Sequence, residues 1–256
     1  MLIGITRAVS PAIADCELTF LEREPIDYTR AARQHNDYCD ALRELGVKVI
    51  ELPSDASQPD CCFVEDTAIV TDEIAVIANP GAASRRGEIP VIERELRRHR
   101  KLAHIKSPST IDGGDVLQIG KRIFVGLSSR TNPKGVEELA RIFEPYGYNV
   151  SPVEIKGGLH LKSACTALDN ETLLVNPQLL APERFAGFNL LFVSEDEPWA
   201  ANALRVADTL CLQEDSPKTA EIVRRVCGRI KLIDMSELRK AEAGLTCSSI
   251  IFQEAV

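Results

Sequence analysis

Short apolar runs alternate along the whole chain with longer stretches whose apolar residues recur every three to four positions. Leu2–Thr6 reads as a strand, Tyr28–Leu45 as an amphipathic helix stopped by Gly46, and Val47–Leu52 as a second strand. Phe63–Val70 and Glu73–Ala78 have the pattern of a hairpin, followed by a charged helix over Gly87–Lys101. Asp115–Ile119 and Arg122–Leu127 repeat the hairpin, Pro133 to Tyr146 the helix and Tyr148–Val153 the strand. Lys162–Leu168 with Glu171–Val175, and Ala201–Ala207 with Thr209–Leu212, are two more hairpins. A helix over Lys218–Cys227, a strand at Ile230–Ile233 and a last segment, Cys247–Phe252, end the series.

The recurring unit is hairpin, helix, strand. Polar residues of catalytic type recur with it at Glu65, Asp112, His160, Asn202 and Cys247, spaced by 47, 48, 42 and 45 residues. A period of that length fits a repeated supersecondary unit. Five such units can surround a central site like propeller blades, each delivering one polar strand end inward; plain α/β alternation is the competing explanation. No Pro/Ser-rich linker divides the chain, so residues 1–256 read as one α/β domain.

Composition narrows the classes. In 256 residues, 45% are hydrophobic and 27% charged, the balance of a globular protein. No apolar run approaches the roughly 18 residues of a membrane span. A net charge of −8 argues against a nucleic-acid surface and suits a cationic or neutral small molecule. Eight cysteines occur without a Cys-x-x-Cys pair, so neither a zinc ribbon nor a redox dithiol is indicated. Arg7 interrupts the first apolar stretch and no basic leader precedes it, which argues against a signal peptide and for a reduced, cytoplasmic protein.

Four histidines make the search for chemistry short. His99 and His104 sit in or beside the basic run Arg97–Lys101, read as a solvated helix face, and His35 falls on an amphipathic helix, where packing or capping is the simpler role. His160 follows the pair Gly157-Gly158 at a strand entry, and is either catalytic or a satisfied core histidine. Cys39, Cys165, Cys211 and Cys227 lie in apolar periodic segments and Cys61-Cys62 beside Phe63, all read as packing. Cys247 stands at a loop-to-strand junction, where a histidine distant in sequence can activate a thiol. Asp112-Gly113-Gly114-Asp115 is either a turn or the source of an acid that orients a histidine. Asp60, Glu65 and Asp66 gather in apolar surroundings and need a cation, a substrate or the arginines Arg85 and Arg130. Gly120-Lys121 lacks the other residues of a phosphate loop.

Several runs, in order from near residue 18 to the C-terminus, are similar to one family. They include Arg33-Gln34-His35, Pro59-Asp60, Phe63-Val64-Glu65-Asp66, Pro80-Gly81-Ala82 and Ser84-Arg85-Arg86. Asp112-Gly113-Gly114-Asp115-Val116-Leu117, Val125-Gly126, Arg130-Thr131-Asn132, Leu159-His160-Leu161-Lys162, Ala200-Ala201-Asn202 and Leu245-Thr246-Cys247-Ser248 complete the set. Together they resemble the dimethylarginine dimethylaminohydrolases, members of the guanidino-group-modifying enzymes. The resemblance implies a five-bladed pentein α/β propeller with pseudo-fivefold repeats around a central active site. It implies hydrolysis of asymmetric dimethylarginine and monomethylarginine to citrulline through a covalent Cys intermediate, with no metal and no cofactor.

By the same resemblance, Cys247 is the nucleophile, His160 the general acid and base, and Asp112 the acid that orients it. Asp60, Glu65 and Asp66 line the guanidinium pocket, Arg85 and Arg130 hold the substrate carboxylate, and the carbonyls of Leu18 and Ala241 receive its ammonium. The expected partner is a small methylated arginine, with a homodimer left open and neither nucleic acid nor membrane involved. Ala241-Glu242-Ala243-Gly244 departs from the Asp-Gly or Glu-Gly usual before the nucleophile, which bears on the ammonium contact. An arginine deiminase-like hydrolase and a non-catalytic methylarginine-binding module are the alternatives.

Overall fold

The computed structural model describes residues 1–254. Its fifteen strands form five sheets of three, and each sheet repeats one plan. An inner strand pairs antiparallel with a central strand; a crossover then returns the chain to an outer strand parallel to the central one. β3 (Ala68–Val70), β4 (Ile74–Ile77) and β5 (Lys101–His104) follow this order, with α2 (Ile89–Leu96) in the crossover. α1 is Tyr28–Glu44, between β1 (Leu2–Arg7) and β2 (Val47–Leu52). β6 (Val116–Ile119), β7 (Arg122–Leu127), α3 (Pro133–Phe143) and β8 (Asn149–Glu154) form the third unit. The short helix α4 (Leu161–Ala164) leads into β9 (Cys165–Ala167), β10 (Thr172–Val175) and β11 (Asn189–Phe192). β12 (Leu204–Val206), β13 (Thr209–Gln213), α5 (Pro217–Arg224) and β14 (Arg229–Ile233) are the fifth.

The first unit takes its inner strand from the far end of the chain. β15 (Ile250–Gln253), preceded by the short helix α6 (Ser236–Arg239), pairs antiparallel with β1, Leu2 opposite Gln253 and Ile5 opposite Ile250. This closes the ring. The five-bladed pentein propeller expected from the sequence is the architecture observed.

Local chemistry explains the units. Central strands such as Ile74–Ile77 and Thr172–Val175 are continuous buried runs, as strands covered on both faces must be. α1 begins where the Asp27 carboxylate accepts the Arg30 N–H at 3.0 Å, and stops before Gly46 at φ +84°. Its inward face sets Ala31, Tyr38, Cys39 and Leu42 against Val47, Cys211 and Leu238. α3 starts on Asn132, whose side chain accepts the Gly135 N–H at 2.8 Å, with Pro133 in its first turn.

Each inner strand is preceded by one turn of helix: Val64–Thr67, Gly113–Asp115, Leu161–Ala164, Pro198–Ala201 and Thr246–Ser248. The strands expected at Phe63–Val70, Lys162–Leu168 and Cys247–Phe252 therefore open in helical turns. Backbone that must bring polar side chains to the axis folds into a turn, and pairing starts only after it. The charged helix predicted to Lys101 ends at Leu96, because Lys101–His104 is drawn into register with Ile74–Ile77. His104 is therefore on a strand, and His99 lies edge-on to Phe252 at 5.4 Å rather than on a solvated helix face. Strand β11 escaped notice because its crossover carries only the turn Pro182–Phe185 and no amphipathic helix. Among the described residues, no helix is long and apolar enough to cross a membrane.

Successive turns touch around the ring, and the first two meet without space between them. A Cβ on Gly113 would stand 2.0 Å from the Glu65 carbonyl oxygen, so backbone would have to move. Gly113→Ala is expected to lower stability by about 2–3 kcal/mol, the scale of overpacking. Urea unfolding followed by circular dichroism reads it; an unchanged midpoint would contradict the close approach.

Candidate active site

The five turns bring their polar residues to one end of the propeller axis. His160 is buried at the N-terminal cap of α4, its Nε2 3.2 Å from Asp112 Oδ2 and its Nδ1 3.8 Å from Asp66 Oδ1. Asp112 is itself fixed by the Gly81 N–H at 2.9 Å, and its own N–H donates to Thr131 Oγ1 at 3.1 Å. Asp66 receives Arg85 Nη1 at 2.5 Å and the Gly114 N–H at 2.9 Å. Gly114 has no alternative here: a Cβ would lie 2.7 Å from both Asp66 Oδ1 and His160 Nδ1. Cys247 is half-buried in the turn Thr246–Ser248, and its Sγ accepts the Gly244 N–H at 3.3 Å.

These groups shift one another. Burial opposes charge on His160, but the carboxylates of Asp66, Asp112 and Asp115 outweigh it and raise its pKa to about 9. Burial also works against Asp66, yet the His160 imidazolium and the Arg85 guanidinium hold it down at about 2. The Cys247 thiol is pushed up to about 12, first by burial and then by Glu65 and Asp66. At neutral pH the resting pair is a thiol and an imidazolium.

A cavity of about 20 Å³ is lined by Cys247, His160, Asp60, Asp66, Arg85, Arg130 and Ala241, with Phe63, Leu159 and Ala243 as apolar walls. That volume holds little more than one water. Its roof is the loop around Leu18. The Glu17 N–H donates to Asp60, and the N–H groups of Thr19, Phe20 and Leu21 donate to the Glu242 carboxylate at 2.5–3.0 Å. Burial raises the Asp60 pKa against the pull of Arg85 and Arg130.

The residues singled out in the sequence thus fall into two groups. Cys247, His160, Asp60, Asp66, Arg85, Arg130 and Ala241 share the cavity wall, and Asp112 stands directly behind His160. Glu65 and Leu18 do not line it. Glu65 receives Lys162 Nζ and Thr246 Oγ1, both at 2.6 Å, and braces the Cys247 turn from behind. Leu18 packs on the apolar cluster beneath α1. Asn202 likewise pins Thr246, accepting its N–H at 3.1 Å and donating to its hydroxyl at 3.1 Å. His35 is buried, with burial lowering its pKa to about 4, as a packing histidine should be.

Three supporting contacts are not read from the sequence. Glu88 grips Arg85 through two hydrogen bonds, Asp115 binds behind His160, and Glu242 holds the roof. The three-residue spacing of Arg85 and Glu88 was a visible signal; the other two contacts join distant segments. Among the described residues, only Asp66, Asp112 and His160 bring donor atoms close enough, within 4.8 Å, to share a metal ion. Those atoms face one another as a carboxylate–imidazole network.

The match to known proteins follows the same residues. A family model described as N,N dimethylarginine dimethylhydrolase, eukaryotic, covers residues 18–178. Over 228 residues the chain is 36% identical to the N(G),N(G)-dimethylarginine dimethylaminohydrolase of Pseudomonas aeruginosa, spanning 88% of this chain and 90% of that protein. The chain belongs to the dimethylarginine dimethylaminohydrolase family. The dimethylarginine dimethylaminohydrolase of Streptomyces coelicolor is 37% identical over 253 residues, 98% of this chain and 97% of that one. Among solved structures, a cysteine-to-serine mutant of the Pseudomonas aeruginosa dimethylarginine dimethylaminohydrolase complexed with citrulline superposes with a TM-score of 0.94. The two are 34% identical and the match covers 98% of each chain. A histidine-to-glycine dimethylarginine dimethylaminohydrolase in adduct with S-methyl-L-thiocitrulline also gives 0.94 at 34% identity. The expectation of a hydrolase, rather than a passive binding module, is met by this membership.

The raised His160 pKa has a consequence for stability. Because its folded value lies above the unfolded 6.5, the imidazolium's contribution is complete below pH 6.5 and vanishes as pH rises through about 9. The depressed Asp66 pKa acts oppositely, contributing above 3.8 and failing as pH falls through about 2. Urea midpoints are therefore expected to fall between pH 6.5 and 9 in the native protein. His160→Gln is expected to flatten that fall, and an equal slope in the variant would contradict the assignment.

Proposed function

We propose that the protein hydrolyses asymmetric N-omega-dimethylated and monomethylated L-arginine to citrulline and the free amine, with Cys247 as nucleophile. The observation that carries the reading is one cavity lined by a cysteine, a carboxylate-paired histidine, acids and two arginines. Asp66 and Asp60 supply negative charge for a guanidinium; Phe63, Leu159 and Ala243 supply apolar wall for its methyl groups and aliphatic stem. The family resemblance and the captured citrulline in a relative support the product.

The electrostatics fit this substrate class. Burial, with the charges of Glu65 and Asp66 added to it, pushes the thiol to about 12 and leaves it unreactive at rest. A bound guanidinium offsets those acids and favours the anion, so the thiol gives its proton to solvent and thiolate forms when the substrate arrives. Its sulfur attacks the guanidinium carbon, forming a C–S bond. His160, an imidazolium at neutral pH, gives its proton to the departing amine as the C–N bond breaks. The neutral imidazole then removes a proton from water, whose oxygen attacks the S-alkylthiouronium carbon. As the C–S bond breaks, the hydroxyl proton of the tetrahedral intermediate passes to the departing sulfur, so citrulline and the resting thiol form together. Asp112 holds the ring through both steps.

At the other end of the substrate, the two arginines differ. Arg85 already gives one N–H to Asp66, one to the Phe63 carbonyl and two to Glu88, leaving a single N–H. Arg130 makes one side-chain hydrogen bond among the described residues, to Thr19 Oγ1 at 3.1 Å. Arg130 is therefore assigned the main grip on the substrate carboxylate, and Arg85 at most one bond. The carbonyls of Leu18 and Ala241 are assigned to the ammonium; the roof loop must lift to admit it.

A colorimetric citrulline assay with dimethylarginine, monomethylarginine and arginine tests the reading. Cys247→Ser is expected to abolish release, and more than a few per cent of native turnover would remove Cys247 from the mechanism. Arg130→Ala is expected to cost about 2–3 kcal/mol in kcat/KM for the amino acid, the scale of a charged hydrogen bond. It should cost far less for a methylguanidine without the carboxylate; equal losses would make Arg130 structural.

A further inference from the structure

Asp115 is a carboxylate with no solvent exposure, and the mechanism above gives it no task. Its two oxygens are spent on two different parts of the site. Oδ1 accepts the Leu161 N–H at 3.0 Å, the first amide after His160. Oδ2 accepts the Ser128 hydroxyl at 2.6 Å. Ser128 Oγ in turn receives the N–H groups of Arg130 at 3.0 Å and Thr131 at 3.1 Å. Thr131 closes the circuit, because its hydroxyl oxygen accepts the Asp112 N–H at 3.1 Å.

The surrounding backbone leaves room for this carboxylate and for little else. A Cβ on Gly126 would stand 2.7 Å from Asp115 Oδ1 and 2.9 Å from Leu161 Cβ. Burying a carboxylate is costly unless its partners are good, so the site holds it for a purpose or the core would be better filled by an apolar residue.

We propose that Asp115 is a positioning residue that sets the His160 turn and the Arg130 loop relative to each other, one oxygen for each. The inference rests on the roles proposed above for His160 and Arg130. An amide cannot substitute. Its single carbonyl oxygen can serve Leu161 or Ser128 but not both. Its NH₂ would then face either the Leu161 N–H or a Ser128 oxygen whose lone pairs are already taken.

Two substitutions separate the arms. Ser128→Ala frees the Arg130 and Thr131 amides while leaving the Leu161 contact, so KM for dimethylarginine is expected to rise roughly tenfold with kcat within about twofold. Ser128→Thr, which keeps the hydroxyl, should restore KM. Asp115→Asn should raise KM and also lower kcat by at least about tenfold, because His160 loses its anchor. Native and Cys247→Ser proteins run beside them. Turnover persisting in Cys247→Ser would overturn the proposed mechanism. Turnover lost there, with native KM in Ser128→Ala and native kcat in Asp115→Asn, would overturn the role of Asp115 alone. Should Asp115→Asn not fold, Ser128→Ala decides: an unchanged KM overturns the inference.

Discussion

Asp66 is the contact on which the site depends. It is a buried carboxylate that meets the Arg85 guanidinium on one oxygen, and the Gly114 amide with His160 beyond it on the other. A buried charge left unpaired would cost several kcal/mol, so each of these partners is obligatory once Asp66 is there. Arg85 in turn needs Glu88, and His160 needs Asp112. The chain of pairing runs from the crossover of the second unit to the fourth unit and holds four segments, distant in sequence, in one arrangement.

The propeller makes that chain buildable. Each unit ends its approach to the axis in one helical turn, so each delivers side chains to the same end without any long excursion. Two turns carry the acids, one the histidine, one the cysteine, and the remaining one carries Asn202, which orders the cysteine's neighbour. The inner strands below the turns enclose a separate cavity of about 460 Å³, whose wall includes Glu65, Lys162 and Thr246. The ion pair of Glu65 and Lys162 thus shares that wall with Thr246 of the Cys247 turn.

Much of this was legible in the sequence because the repeat has a nearly constant length. Glu65 and Cys247 fall on two of the five turns and Asp112, His160 and Asn202 cap the other three, a placement their spacing anticipated. The apolar runs gave the central strands, since continuous burial needs no partner to be recognised. Strands Lys101–His104 and Asn189–Phe192 were hidden, because their short half-buried sequences become strands only by pairing with a neighbour. In the site, residue type identified the chemistry but not the wiring. Glu65 carries the right charge for a guanidinium pocket, yet Lys162 and Thr246 occupy both its oxygens. In the run Ala241-Glu242-Ala243-Gly244, which departs from the family's pattern, it is Glu242 that takes φ +58°, and its carboxylate fastens the roof. Such contacts depend on segments more than 180 residues apart, which no local pattern encodes.

The central chemical claim is that burial and the neighbouring acids keep the Cys247 thiol protonated until a cationic substrate arrives and is attacked by its sulfur. Mass spectrometry of the protein quenched in acid during turnover of dimethylarginine tests this most directly. The account predicts that the peptide containing Cys247 is heavier by the mass of the substrate less dimethylamine, and that the species disappears as citrulline is released. An unmodified Cys247 peptide throughout steady turnover, or an adduct on another cysteine, would contradict it.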